Sequence, residues 1–595
     1  MAEQVKLRSE IDKRWQWKLE DLYSTLEKWE ADFQNVKASV AAFEVYKGRV
    51  AENPAKAIKA YFESHLTLER LYAFAHMHRD EDNANTTFQA LTDRAETLSV
   101  EAEAAAAFLE PELLTMEESD LNALMKDPAL SDFDVYLHTI IRNKPHTLPA
   151  EQEKLLAMTG EMGAAPQNIF SMLTKVDMRF PDIRNEKGEE VPLTEAAYGT
   201  FIRSTDRNVR KDAFTALFET YKSFGATIAA TYAGSVKGDL FTARARGFET
   251  AVEASLFPDE IPLSVYDNLI AVIHESLPAL NEYIALRKPA MHLDEIHLYD
   301  LYASVVEDYD MKLPYPESYQ MVMEGLSSLG ADYQKVLKDA YEDGWIDVYS
   351  SKAKSSGAYS WGAYGVHPYV LLNHRDDLDS AMTIAHEMGH AMHSYFSNLH
   401  QPASKANYTL FAAEVASTCN EIILMTRLME RYADNRRALA FLCNHLLEQF
   451  RTTVFRQTMF AEFERISHRM AENGEALTKE ALSKAYLELN QMYYGQHCVV
   501  DDLIQVEWMR IPHFYRAFYV YKYATGFSAA VFLANRILTE GEPAVRDYYK
   551  FLSAGGSLPP IEALKLAGVD MSSPEPIRSA MQVFKQTTER LARLL

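Results

Sequence analysis

The chain has 595 residues, 48% hydrophobic and 24% charged, with a formal net charge of -25 from 60 basic and 85 acidic side chains. That length exceeds a single small core and predicts two or more subdomains in a soluble globular protein. The acidic balance excludes nucleic acid as the main partner, since the basic footprint is missing, but leaves peptide binding in a locally different cleft open. Cys419, Cys443 and Cys498 are the only cysteines, so no disulfide framework is expected and a reducing cytoplasm suits the chain. The N-terminus lacks an apolar leader core and no run of about 18 apolar residues follows, so neither a signal peptide nor a membrane span is expected.

From the N-terminus onward the chain reads as helix. Apolar residues recur at helical spacing, with few Gly or Pro, over Asp21 to Val50, Ala55 to His78 and Thr87 to Leu109. Breaks are marked by Asn53-Pro54, Glu110-Pro111, Asp127-Pro128 and Lys144-Pro145. The stretch Arg179 to Leu193 holds Asn185-Glu186-Lys187-Gly188 and predicts a short hairpin or loop. A domain boundary is placed beside it, giving an N-terminal helical lobe over 1–195 and a second lobe over 196–595.

A second non-helical region runs from Tyr349 to Asn373. Its first part is rich in Ser, Gly, Ala and Tyr, and Pro368 to Asn373 reads as a short strand. A flexible loop and a strand directly before a helix bearing chemistry suggest substrate handling, because an extended peptide can pair its backbone with a strand edge. Gly357, Ala358, Tyr359 and Tyr369 are the candidate contacts. The alternative is a structural hairpin capping the helix.

The helix that follows carries His386-Glu387-Met388-Gly389-His390, with Asp379 or Ser380 as its expected N-cap. Four residues make about one helical turn, so both imidazoles share a face and can grip one metal ion. Glu387 is placed to take a proton from water, and the pattern points to hydrolysis, most often of a peptide bond. A catalytic zinc usually takes a third protein ligand. His393 is one candidate, but convergence with His386 and His390 on a single helix is awkward. Glu414 is the better one. The run Phe411 to Glu421 reads as a second helix with Glu414 and Glu421 two turns apart on one face, where unpaired carboxylates are costly to bury. Glu414 then ligates, and Glu421 orients a ligand imidazole through its free ring N–H. Cys419 lies around the helix from Glu414 and reads as packing. Farther on, Ile511 to Gly526 packs aromatics around His513, and Tyr519, Tyr521 and Tyr523 carry hydroxyls that need partners when buried. Hydrolysis through an oxyanion needs such donors.

Residues 386–395 (His-Glu-Met-Gly-His-Ala-Met-His-Ser-Tyr), 413–418 (Ala-Glu-Val-Ala-Ser-Thr) with Asn420-Glu421, and the segment 513–526 together resemble oligoendopeptidase F, a branch of the M3, thimet oligopeptidase-like, zinc metallopeptidases. The resemblance extends to Trp17 to Tyr23 near the start, and to Gly555-Gly556-Ser557 and Ala567 to Met571 near the end. It implies an all-α, mainly helical fold with one small strand region beside the zinc helix. It also implies two lobes facing each other across a deep channel with one Zn2+ ion on its floor, and a preference for short flexible peptides. On the family's motif, His386, His390 and Glu414 fall on the zinc ligands and Glu387 on the general base. His513, Tyr521 and Tyr519 fall on transition-state donors. The wider group often reads Glu-x-Pro-Ser where this chain has Glu414-Val415-Ala416-Ser417, which places it with the F-type branch. Thr418 stands where a thermolysin-like Asp would, so a thermolysin-style arrangement around the ligands is not implied.

The reading is therefore a cytoplasmic zinc endopeptidase acting on oligopeptides, without nucleic-acid or membrane partners and with no oligomeric state assigned. One rival is a carboxypeptidase or dipeptidyl-releasing exopeptidase, in which Arg510 or Arg516 would anchor a substrate terminus. Another is a peptide-binding protein with an inert site.

Overall fold

The computed structural model describes residues 6–306, 309 and 311–595; residues 1–5, the start of the N-terminus read above as leaderless, lie outside them. Asn53 accepts the Lys56 N–H at 3.2 Å and Pro54 takes the first helical position. The Asn-Pro pair that reads as a break thus opens the helix Pro54–Glu81. The same logic holds at Asp127-Pro128, where the Asp127 side chain accepts the Ala129 N–H and Pro128 opens a 3-10 turn. Proline suits such starts because its missing N–H would be unpaired there anyway. Thr25 caps the first long helix, so it runs over Leu26–Phe43 and is shorter at both ends than the apolar spacing suggests. Helix accounts for 73% of the chain, and the described residues hold two small sheets with five strands in total.

The chain packs as two compact units, each assembled from separated segments. Unit 1 takes Met1–Thr147, Asp310–Arg427 and Leu533–Val569; unit 2 takes Leu148–Tyr309, Leu428–Phe532 and Asp570–Leu595. The units are interleaved, so a single cut such as 195 describes the order of the chain and not its packing.

In unit 1 the helices Leu26–Phe43, Pro54–Glu81 and Thr86–Ala106 bury Trp29, Phe33, Leu71, Phe74 and Leu98 together. The same core reaches Tyr369 and Leu371 of a three-stranded sheet. The expected hairpin at 179–193 forms in unit 2 as β1 (Ile183–Arg184) and β2 (Glu190–Val191), with Gly188 at φ 78 in the turn. In the unit 1 sheet, β3 (Ile346–Tyr349) runs parallel to the central β5 (Tyr369–His374), and β4 (Tyr359–Trp361) pairs with β5 antiparallel on the other side. Strand β4 is thus an edge. Val370, Leu371 and Leu372 are buried in succession because β5 is covered on both faces.

Unit 2 is built from helices that include Gly225–Ala245, Leu263–Ala285, Arg436–Gln449, Arg456–Glu472 and Glu575–Leu594. Its interior holds Glu448 between Arg287 and Arg451 at 2.5 and 2.7 Å, with the Tyr283 hydroxyl donating at 2.6 Å. Burial alone would push the Glu448 carboxyl up, but the two guanidinium groups hold it down at about 2.

Candidate active site

Strand β5 ends at His374, and the motif helix Leu378–His400 starts four residues later. Its N-cap is Asp377, not Asp379 or Ser380: the Asp377 carboxylate accepts the Ser380 N–H at 2.8 Å. The helix buries Ala381, Ile384, Ala385 and Met388, which leaves His386 and His390 together on a half-exposed face. The second helix, Leu410–Arg431, crosses it at Gly389. A Cβ on Gly389 would lie 2.5 Å from Ser417 Cα and 2.8 Å from the Ala416 carbonyl oxygen, so only glycine permits this approach. Asn420 fastens the crossing, donating to the Ala385 carbonyl at 3.0 Å and accepting from the Tyr333 hydroxyl at 2.9 Å. With Ser417 at the contact, Glu414 lies one turn before it and Glu421 one turn after, both facing the imidazoles.

The result is a triangle of donors. His386 Nε2 and His390 Nε2 are 3.2 Å apart, and Glu414 Oε2 lies 3.5 and 3.6 Å from them. Two ligands of a tetrahedral zinc at Zn–N distances of about 2.0–2.1 Å stand about 3.3–3.4 Å apart, so the triangle fits such an ion. His386, His390 and Glu414 form the one group among the described residues whose donor atoms all lie within 4.8 Å of one another. The chemistry of the set agrees: two imidazoles and a carboxylate meet without a protein cation between them. Glu421 Oε1 accepts from His386 Nδ1 at 2.6 Å, which fixes the ring with Nε2 turned to the triangle. Burial works against a charged His386, but the Glu421 hydrogen bond and the surrounding carboxylates raise it to about 9. Burial and the His386 charge push His390 down to about 3. A metal cation in the triangle would compete with any proton on His386 Nε2.

Glu387 is 6% exposed, and its Oε2 has no hydrogen-bond partner among the described residues. The main chain of Ser360 in β4 donates to the carboxylate, while burial, opposed by His386, raises it to about 7. A carboxyl poised near neutrality beside a metal trio suits proton transfer. His393 takes no part. It is fully buried, with its ring flat on Tyr408 at 3.6 Å between centroids, and burial drives it down to about 3. Cys419 is buried packing, as its offset from Glu414 suggests.

The loop residues divide. Gly357 and Ala358 line a cavity of ≈ 360 Å³ with Asn373, Arg375, Asp379 and Thr383, the last two on the first turns of the motif helix. Tyr359 is half-buried and its hydroxyl donates to Asp80 at 3.0 Å, tying β4 to the Pro54–Glu81 helix. Tyr369 is a correction to the substrate contacts. It is fully buried against Trp17, with its hydroxyl on the Lys18 carbonyl at 3.1 Å, because a central strand points its side chains into packed layers.

The aromatic segment belongs to unit 2 and has its own geometry. His513 is exposed, and the Tyr519 ring lies 6.1 Å from it at 15°. The Tyr523 hydroxyl lies 3.5 Å from His513 Nε2, and Tyr519 and Tyr523 meet edge to face at 5.4 Å. Burial and Arg516 lower the His513 pKa. Tyr521 is a second correction. It is 1% exposed, packed on Tyr266 at 5.2 Å, and its hydroxyl meets no partner among the described residues. The chain turns through Phe518 and a helix begins at Tyr521, so Tyr519 and Tyr523 point alike and Tyr521 points inward.

Comparison with known proteins agrees with this geometry. The model of peptidase family M3 matches residues 200–583, and that of oligopeptidase F matches residues 112–180. Oligopeptidase PepF of Bacillus subtilis is 43% identical over 598 residues, covering 100% of this chain and 89% of its own. Group B oligopeptidase PepB of Streptococcus agalactiae is 37% identical over 592 residues, covering 99% and 98%. The crystal structure of oligoendopeptidase-F from Enterococcus faecium superposes with a TM-score of 0.73 at 36% identity, covering 96% of this chain and 99% of that one. A match of this extent, over a site of two histidines and a glutamate, shows that the chain belongs to peptidase family M3 and is a metallopeptidase of its oligopeptidase F branch.

Proposed function

We propose that the protein hydrolyses internal peptide bonds of short, unstructured oligopeptides with one zinc ion held by His386, His390 and Glu414. The chemistry such an ion supplies when bound is Lewis acidity toward a water and toward the scissile carbonyl. Glu387 takes a proton from the attacking water on its unpartnered Oε2 and passes it to the departing amine. Glu421 keeps the His386 ring oriented throughout. The edge strand β4 offers its backbone to an extended substrate, so many sequences are accepted without reading each side chain. His513, Tyr519 and Tyr523 are the donors for the charge that develops on the carbonyl oxygen.

The donor triangle with Glu387 next along the helix carries this reading. Of the two arginines that would anchor a substrate terminus in an exopeptidase, Arg510 is bound to Glu195 at 2.8 Å, and the Arg516 guanidinium lies 4.3 Å over the Tyr519 ring. The free, buried thiols of all three cysteines fit a reducing cytoplasm. The test is cleavage of a peptide blocked at both ends, with and without a chelator, read by mass spectrometry. Internal cleavage that stops with chelator supports the reading. Cleavage confined to peptides with a free terminus would replace it with exopeptidase action.

A further inference from the structure

Glu464 sits on the Arg456–Glu472 helix of unit 2 and is 0% exposed. Its Oε1 accepts the Phe518 N–H at 3.0 Å, and its Oε2 has no partner among the described residues. A buried acid with one hydrogen bond is costly to keep. Burial raises its pKa well above the ordinary carboxyl range, against the Phe518 hydrogen bond.

What it holds explains its presence. Phe518 has φ 55, in the left-handed region that a bulky side chain avoids. Its ring is buried near Tyr266 and His468, with centroids 5.9 and 4.5 Å apart. The residue after this turn is Tyr519, the ring that lies against His513. Released from Glu464, the Phe518 N–H would be buried unpaired and the turn would relax toward an ordinary conformation, moving Tyr519.

We propose that Glu464 is a positioning residue: its buried carboxyl, by accepting the Phe518 N–H, holds the strained turn that presents Tyr519 against His513. This rests on the reading of Tyr519 as a transition-state donor.

The test is steady-state kinetics of the full-length, zinc-loaded protein on an end-blocked oligopeptide. E464L lowers kcat about tenfold with KM within about twofold, whereas E464Q keeps both within about twofold, because its amide carbonyl accepts the same N–H. In a Y519F background E464L costs less than about twofold more, since its effect runs through that ring. Parental kcat in E464L, with Y519F impaired, overturns the inference and leaves the donor reading standing. Parental kcat in Y519F removes both. Equal losses in E464L and E464Q overturn the inference, because the acceptor is retained in one of them. If E464L does not fold, hydrogen exchange decides: the Phe518 amide exchanges slowly in both the parent and E464Q, and rapid exchange in the folded parent overturns the proposal.

Discussion

The donor triangle of unit 1 and the aromatic group of unit 2 are built on different kinds of backbone. His386, Glu387 and His390 sit on one regular helix, and Glu414 and Glu421 on a second, so sequence spacing alone sets which side chains share a face. His513, Tyr519 and Tyr523 come from a 3-10 turn, a left-handed residue and the start of a helix. There the direction of each ring depends on local turns and not on a period. Regular backbone carries its geometry in the spacing of residues, and irregular backbone hides it in the contacts that hold each turn.

Substitutions can break or sharpen that contrast. The largest effect falls on the regular side. Glu387→Gln should lower kcat by about 10²–10⁴-fold while zinc content stays at the parental level, because proton transfer is lost and the ligands remain. Normal turnover in that variant would remove Glu387 from the chemistry.

The next effect separates the tyrosines. Tyr519→Phe should lower kcat by up to about 10²-fold with little change in KM, as removal of a transition-state donor does. Tyr521→Phe should leave kcat unchanged and stability equal or higher, since it deletes a buried hydroxyl with no partner among the described residues. The reverse ranking in a kinetic comparison would show that the aromatic group has been read on the wrong face.

Glu421→Ala should weaken zinc affinity or activity by about tenfold, because the His386 ring loses the acceptor that fixes it. Metal titration against a competing chelator measures this. A stability measurement probes the helix crossing itself. Gly389→Ala should destabilise the protein by about 1–3 kcal/mol in denaturant unfolding, since the added methyl meets backbone of the second helix. Parental stability would mean that the helices part without cost.

Much of unit 1's site was legible because helices translate number into direction. The offset of four between His386 and His390, and of seven between Glu414 and Glu421, places all four side chains before any contact is known. Gly389 and Asn420 were not legible, because what they do depends on a partner helix far along the chain. Tyr369 was misplaced for a related reason: an aromatic in a strand next to a loop reads as accessible until the Trp17 segment is seen to cover it. The helical class followed from long apolar spacing. The division into two units did not, since separated stretches join each unit and no local pattern marks such joins. Asn-Pro and Asp-Pro pairs were legible as punctuation, yet they proved to be helix starts, a distinction made by the capping side chain.

The most direct test of the central claim, that two imidazoles from one helix and a carboxylate from the next hold the metal, is zinc content measured alongside cleavage for the parent and Glu414→Ala. The parent should carry about one zinc per chain, as a three-ligand catalytic site does, and cleave an end-blocked oligopeptide; Glu414→Ala should lose both together. A Glu414→Ala protein that binds zinc as tightly as the parent and cleaves at the parental rate would contradict the account.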